Sequence, residues 1–394
     1  MIKLSRSRLF TYLRPFVFLL PLILTALAPS SVQAQEIGIK VLNESYSYTF
    51  AKEAEFEIEI EENLREAILF YKVEGEIGQH FQRAQISGGS AKATIHLTSG
   101  QIPPAAQVTY FWYLEDTRGQ ILCAGEQSFR YLDQRFVWEN KTRGNVIVFW
   151  YGKEGTGDQA LDQAELSLLE IKNQLGFIQS QPVRIVAYQG WLDMKPAVAN
   201  WGEGVMNLGN TMGTQTAVLF LHPGWGTTLT HELAHVLTSQ LMEGSYNYLP
   251  FWLSEGLATY AVGQRGTVEN PLSIALLSSG PTKSEDINPS YRQARSLVTF
   301  LIKERSGKEK ILELLTVIAQ GETVDNALLG VYGFDHNGLE KEWRSWLEKP
   351  FDRAPEPKAQ PQTWLTHFAP VFGFAAALCF VLLIILIFAL RKQR

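Results

Sequence analysis

The 394-residue sequence predicts a multidomain fold, with an N-terminal all-β sandwich, a central α+β domain and one C-terminal transmembrane helix. Polar and apolar residues alternate at every step over residues 55–60, which is the period of a half-buried β-strand. From Arg135 onward, short apolar runs alternate with segments whose apolar residues recur at helical spacing. Residues 369–390 carry no charge and are numerous enough to cross a bilayer core.

Composition argues against a nucleic-acid-binding protein and against a disulfide-stabilised one. The formal net charge is only −5 and no basic stripe occurs, so no nucleic-acid partner is expected. Two cysteines are present, and Cys379 lies within the predicted membrane span, so it cannot pair with Cys123. The domains are therefore expected to be stabilised by burial of apolar surface and not by a disulfide framework.

The N-terminal end has the pattern of a secretory signal peptide, predicted for residues 1–34. A basic segment precedes a short apolar run, and the small residues around Ala34 suit cleavage. The alternative is an uncleaved membrane anchor, which Pro21 within the apolar run disfavours.

The C-terminal end predicts attachment to a membrane. Residues 350–368 contain several prolines and are predicted to form an extended spacer. Residues 369–390 follow as the transmembrane helix, and residues 391–394 form a basic tail on the cytoplasmic side. The predicted location is the cell membrane, with a single span, the N-terminal domains outside the cytoplasm and the C-terminus inside.

Residues 35–134 are predicted to form the β-sandwich domain. Strand-like segments are separated by turn-rich stretches and comprise residues 55–60, 66–73, 91–97, 108–114 and 127–132. The pattern resembles an immunoglobulin-like or fibronectin-like domain, but it lacks the Cys–Trp–Cys spacing of antibody domains. This domain carries no catalytic pattern, and a protein partner is one role open to it.

Residues 135–349 are predicted to form the α+β domain. Continuous apolar runs at residues 145–151, 182–188 and 216–221 predict buried strands, and residues 161–175 predict an amphipathic helix that ends at Gly176. The first half of the domain is thus predicted to be rich in strands, and the C-terminal half, from the HELAH segment onward, is predicted to be all-helical.

The sequence HELAH places His231, Glu232 and His235 on one predicted helix. Residues four apart lie on one helix face, so both imidazoles can bind one metal ion. Glu232 can then act as a general base beside them, which is the pattern of zinc hydrolases. The predicted cofactor is Zn²⁺.

Glu255 is the predicted third metal ligand, because it follows on a second apolar helix after a loop that contains Pro250. A set of two histidines and one glutamate leaves the fourth zinc position for water. The alternative makes Glu255 an ordinary first-turn carboxylate that the helix dipole favours.

Together, HELAH and the later segment LPFWLSEGLA resemble the peptidase MA-like domain family. This family belongs to the gluzincins, the HExxH-plus-Glu zinc metallopeptidases of the thermolysin type. The resemblance covers about residues 136–350 and implies an α+β thermolysin-like fold. It further implies that residues 216–221 form the sheet edge on which a substrate backbone lies.

The resemblance also implies a mechanism in which zinc-activated water attacks a peptide bond and Glu232 takes the proton of that water. Tyr291 is the first candidate for the donor to the oxyanion, although it could equally be a core residue of its helix. His222, Tyr260 and Tyr248 are further candidates. Thermolysin-type enzymes carry an Asp four residues after the glutamate ligand, and here that position is Thr259.

The predicted function is thus a membrane-anchored extracytoplasmic zinc metallopeptidase with a peptide or protein substrate. The alternative is an adhesion or sensory surface protein whose peptidase-like domain is a non-catalytic scaffold. An intramembrane protease is disfavoured, because polar loops follow the HELAH helix and the span is distant. Residues 202–215 and 242–250 are expected to be loops that line the substrate pocket.

Overall fold

The structure, a computed structural model, describes the following residues: 39–76, 78–198, 208–242, 249–263, 268–305 and 307–349. The predicted signal peptide, the proline-rich spacer and the basic tail lie outside these residues.

The predicted C-terminal transmembrane helix requires correction. Within the described part of the chain, no helix combines the length and the apolar character needed to span a bilayer. The segment for which that helix was predicted, residues 369–390, lies outside the described residues. The prediction of a β-rich region followed by a helical domain agrees in part with the structure.

The N-terminal region forms two β-sheets. The first has the strand order β1-β2-β6-β5, and the second has the order β4-β3-β7-β8, with β9 also paired to β7. The strands are β1 Val41–Thr49, β2 Glu53–Ile60, β3 Leu64–Val73, β4 His80–Arg83, β5 Gln85–Ser87, β6 Ser90–His96, β7 Ala106–Asp116, β8 Ile121–Cys123 and β9 Gln127–Tyr131.

The alternation in the sequence explains how the two sheets meet. Along β2, the side chains of Phe56 and Ile58 are buried, whereas those of Glu57 and Glu59 are exposed. Alternate residues of β3 and β7, such as Leu69 and Trp112, enter the same core. Each sheet therefore presents one apolar face to a shared core.

The second region contains a third sheet and most of the helices. The sheet order is β10-β11-β12-β14-β13, in which β11, β12 and β14 are parallel and the two outer strands are antiparallel to their neighbours. The strands are β10 Glu139–Arg143, β11 Val146–Trp150, β12 Val183–Tyr188, β13 Gly209–Met212 and β14 Thr216–Phe220.

Nine α-helices belong to the described residues of this region, and a 3-10 turn at Lys195–Ala197 follows the second. They are α1 Thr156–Leu175, α2 Trp191–Met194, α3 Trp225–Leu241, α4 Phe251–Ala261, α5 Ile274–Ser278, α6 Ser284–Glu304, α7 Lys308–Ala319, α8 Val324–Tyr332 and α9 His336–Glu348.

The third sheet is buried on both faces. Val148, Ile185 and Leu219 point into a core made with the helices. Their neighbours, including Val186 and Val218, belong to the core of the N-terminal sandwich. Because both faces are covered, these strands contain continuous apolar runs and no alternation.

The edge of this sheet differs from the prediction. Residues 216–221 were predicted to form the edge, but β14 is an inner strand that lies between β12 and β13. The short strand β13 is the edge, and it lies within residues 202–215, which were expected to be a loop. The sequence of β13, Gly-Asn-Thr-Met, has no apolar alternation, so its pairing with β14 is not visible as a pattern.

An ion pair joins the sandwich to the third sheet. Arg184 of β12 is only 1% exposed, and its Nη1 lies 2.6 Å from Oε2 of Glu74, which follows β3. The same carboxylate oxygen accepts a hydrogen bond from Arg130 at 3.0 Å. Burial lowers the pKa of Arg184, and Glu74 opposes that effect. The guanidinium therefore depends on this carboxylate for compensation.

Glu74→Ala is expected to lower the free energy of unfolding by about 2 kcal/mol, because it leaves the Arg184 guanidinium buried without its counter-charge. The value is below that of a fully buried pair, since the Glu74 side chain is 33% exposed. Urea unfolding measures it, and Glu285→Ala is the matched control because Glu285 is 76% exposed. Equal stability of the Glu74 variant and the control would contradict the structural role of this pair.

Candidate metal centre

Helix α3 places the HELAH motif at the boundary of the helical core. The side chains of Leu229, Leu233 and Leu237 are fully buried and pack inward. On the same helix, His231 and His235 are partly accessible, with side chains 18% and 15% exposed. The apolar face thus fixes the helix, and the two imidazoles are directed away from the apolar core.

Helix α4 brings Glu255 to the same place. Trp252 and Leu253 are buried at its start, and Gly256 packs against α6. A Cβ at Gly256 would lie 2.6 Å from the carbonyl oxygen of Ala294, so only glycine allows this close approach. The contact between Gly256 and α6 thereby sets the position of α4, and with it the position of Glu255, the residue before Gly256.

The three predicted ligands converge. The Nε2 atoms of His231 and His235 are 3.2 Å apart, and Oε2 of Glu255 lies 3.2 Å from the first and 3.3 Å from the second. The described His, Cys, Asp and Glu side chains contain one group of three or more whose ligand atoms are close enough to hold a metal ion, and it consists of these three residues.

The spacing of these atoms fits zinc. Ligand atoms at the corners of a zinc tetrahedron, each about 2.0–2.1 Å from the metal, are about 3.3 Å from one another. Oε2 of Glu255 is also buried and forms no hydrogen bond, although both ring nitrogens lie close to it. Two imidazoles and one carboxylate are a zinc donor set, so the residues present match the metal in type and in spacing.

The electrostatics of the metal-free site link Glu255 to His235. Burial raises the pKa of Glu255, but the charges of His235 and His231 outweigh it and hold that pKa well below its usual range. Burial likewise lowers the pKa of His235, but Glu255 outweighs it and raises that pKa to about 9. In the metal-free protein a proton on His235 therefore compensates the buried carboxylate, and a bound metal ion would replace that proton.

Glu232 lies beside this group without joining it. The residue is 6% exposed, and burial raises its pKa, against the opposing effects of His231, His235 and a hydrogen bond from Thr211. The Thr211 hydroxyl lies 2.9 Å from Oε2 of Glu232. Neither Thr211 nor the edge strand that carries it was identified from the sequence.

The residues around the ligands depart from the thermolysin-type pattern. The hydroxyl of Thr259 donates to the backbone oxygen of Glu255 at 2.6 Å, so its hydrogen bond remains within its own helix. Ser254 instead contacts a ligand, with its Oγ 3.3 Å from Nδ1 of His235. A partner on Nδ1 leaves Nε2 available for a metal ion. Apart from its place next to Glu255, no sequence pattern pointed to Ser254.

Tyr291 of α6 lies near the group. Its ring centroid is 6.0 Å from that of His231, and it packs edge-on against Phe251 at 5.4 Å. Burial raises the pKa of Tyr291 above its usual range, and the carboxylates of Glu255 and Glu232 add to the effect. The hydroxyl is thus a proton donor that stays protonated.

The other donor candidates have different surroundings. Nε2 of His222 lies 3.0 Å from the Thr228 hydroxyl, and the ring of Tyr260 faces the guanidinium of Arg295 at 5.9 Å. Tyr248 lies outside the described residues.

Known structures offer only distant likenesses. A carbohydrate-binding module of family 56, a β-1,3-glucan binding domain, is 17% identical and covers 22% of this chain and 96% of its own, with a TM-score of 0.18. The third fibronectin III domain of a human protein is 12% identical and covers 27% and 93%, with a TM-score of 0.20. A purple acid phosphatase from yellow lupin is 10% identical and covers 63% and 41%, with a TM-score of 0.21. At these scores, none of the three informs fold or function.

A family comparison is more direct. No curated protein sequence matches the chain. The model of the peptidase MA superfamily, however, matches residues 163–349, which include α3, α4 and α6 and therefore the whole candidate site. This match supports the assignment of residues 163–349 to a peptidase-like domain of the peptidase MA superfamily.

Proposed function

We propose that the peptidase-like domain is a zinc-dependent metallopeptidase, in which His231, His235 and Glu255 hold the metal and Glu232 is the general base. One observation carries this proposal: three ligand atoms of a zinc donor set converge at 3.2–3.3 Å beside a second buried carboxylate, that of Glu232. The superfamily match supports the reaction class.

When bound, zinc would supply a water of lowered pKa and polarise the carbonyl of the peptide bond. Glu232 accepts the proton of the attacking water and passes it to the leaving amine. Burial raises the pKa of Glu232, which suits this role. A carboxyl group whose pKa lies closer to neutral pH is a better proton acceptor and can still release the proton to the leaving amine.

Tyr291 is proposed as the donor that stabilises the negative oxygen of the transition state. Its hydroxyl remains protonated at all working pH values, since burial raises its pKa. Its position next to the His231 ring places it beside the proposed metal ligands. Such a donor contributes most where water is excluded.

The substrate is proposed to be a peptide or protein that lies along β13. This edge strand pairs with β14 on one side only among the described strands. An extended peptide could add to its outer side by main-chain hydrogen bonds. The edge strand β13 thus takes the place of the predicted edge at residues 216–221.

Action outside the cytoplasm is part of the proposal. The signal-peptide pattern of residues 1–34 supports it, because a basic segment, an apolar run and small residues occur there in the order that export requires.

The full chain is expected to bind about one zinc ion and to hydrolyse a peptide mixture. Glu232→Gln should retain zinc and lose about 10³-fold in kcat, because the base is removed and the ligands are not. Glu255→Gln should lose zinc as well as activity, since a ligand is gone. Metal analysis and a peptide-cleavage assay distinguish the two.

Glu285→Gln is the matched control for both variants, because its carboxylate is 76% exposed, lies near Lys283 and is not part of the candidate metal group. A wild-type chain without zinc would contradict the proposal. Equal activity of Glu232→Gln and wild type would contradict the assigned mechanism and favour the non-catalytic scaffold.

Tyr291→Phe is expected to lower kcat by about 10²-fold at unchanged zinc content, because one donor to the transition state is lost. Steady-state kinetics and metal analysis measure the two quantities. Tyr332→Phe is the matched control, since Tyr332 also has a buried hydroxyl but no hydrogen-bond partner. Loss of zinc in Tyr291→Phe would instead assign the tyrosine to holding Glu255.

A further inference from the structure

The edge strand β13 encloses Glu232 from the side opposite the helical core. A Cβ at Gly209 would lie 2.8 Å from Cγ and 3.0 Å from Oε1 of Glu232, and 2.9 Å from Cγ2 of Thr228. Gly209 thus provides the space that the glutamate side chain occupies. Its partner Leu219 on β14 fixes the register of the strand at this point.

Thr211 contacts Glu232 from the same strand face, because residues two apart in a strand point the same way. Its hydroxyl lies 2.9 Å from Oε2 of the carboxylate and 2.9 Å from the backbone oxygen of the same residue. A hydroxyl has one proton to donate, and a charged carboxylate is the stronger acceptor of the two.

The two histidines attract the Glu232 carboxylate in competition with the hydrogen bond from Thr211. The charges of His231 and His235 act on Glu232, and its side chain has enough rotatable bonds to swing toward them. Despite this attraction, Glu232 is outside the group of converging ligand atoms. The bond from Thr211 holds one carboxylate oxygen on the β13 side and opposes that movement.

The strand itself is anchored by the sandwich domain. Met212 is buried in the sandwich core. The next residue, Gly213, has a φ of 61°, and a Cβ there would lie 3.2 Å from the carbonyl oxygen of Gly75. Thr211 therefore stands on a strand whose end is held from the opposite side of the sheet.

We propose that Thr211 is a positioning residue, whose hydroxyl fixes the rotamer of Glu232 so that this carboxylate serves as base and does not become a fourth ligand. The inference rests on the proposed peptidase function, since it explains how the proposed general base, Glu232, is held in its orientation. By this proposal, β13 contributes to catalysis in two ways: the Thr211 side chain positions the base, and the strand backbone can bind the substrate.

The test compares Thr211→Val, which removes the hydroxyl at nearly constant volume, with Thr211→Ser, which keeps it. In the full chain, Thr211→Val should lower kcat about 10–100-fold with KM and zinc content unchanged, because a displaced general base loses its alignment. Thr211→Ser should remain within about threefold of wild type, since the same donor is present. Thr94→Val, a partly buried strand threonine of the sandwich, is the control and should leave kcat unchanged.

A second measurement does not depend on activity. In the metal-free chain, Thr211→Val should lower Tm by about 3 °C, because a buried carboxylate loses a donor. In the Glu232→Met background the same substitution should lower Tm by clearly less, since the carboxylate is gone and only the backbone oxygen of residue 232 remains as an acceptor.

The outcomes separate the two proposals. Full kcat in Thr211→Val, or equal losses in the Val and Ser variants, would overturn the positioning role. A wild-type chain that binds no zinc and cleaves no peptide would contradict the proposed function alone. In that case the Tm comparison still decides whether the hydroxyl holds Glu232, and equal shifts in both backgrounds would overturn the inference.

Discussion

Burial of ionisable groups beside an apolar helix pair is the constraint on which the site depends. Glu232, Glu255 and His235 lie next to fully buried leucines of α3 and α4. Unpaired charges in such surroundings are strongly destabilising. Each group therefore has a partner: the histidines and Glu255 compensate one another, and Thr211 compensates Glu232. This pairing adds to the apolar packing that positions α3 and α4 and to the strand pairing that positions β13.

The β-sandwich contributes to this arrangement because it covers the open face of the third sheet. The longer helices cover one face, and on the other face α2 and the turn after it add only a small cover, so most of the apolar side chains of β12 and β14 there would be exposed without the sandwich. The sandwich buries them and holds the β13–β14 turn at Gly75. An element that looks like an independent module in the sequence is thus part of the support for the strand that contacts Glu232. Removing it would expose apolar surface and loosen the edge at once.

Local rules account for the parts that the sequence predicts. The spacing of His231 and His235 follows from the helical period, and β11, β12 and β14 follow from apolar runs that a doubly covered sheet requires. Convergence of Glu255 on the histidines was expected from the second apolar helix that follows a loop, but the packing of Gly256 against α6, which helps to position α4, was not. The strand β13 and the contacts of Thr211 and Ser254 could not be predicted from local rules. Each depends on a residue distant in the sequence, and the hydrophobic pattern of a sequence does not show which partner a polar side chain contacts.

Two glutamates of the site show how the fold assigns different chemistry to one residue type. Both are buried, and burial alone raises the pKa of each. For Glu255, the two facing imidazoles reverse the effect, so it stays charged, which suits the proposed metal ligand. For Glu232, the same imidazoles and one hydroxyl only weaken the effect, and the pKa stays raised, which suits the proposed general base. The difference arises from placement: Glu255 faces the histidines from a second helix, whereas Glu232 sits next to one of them on α3 and turns toward β13.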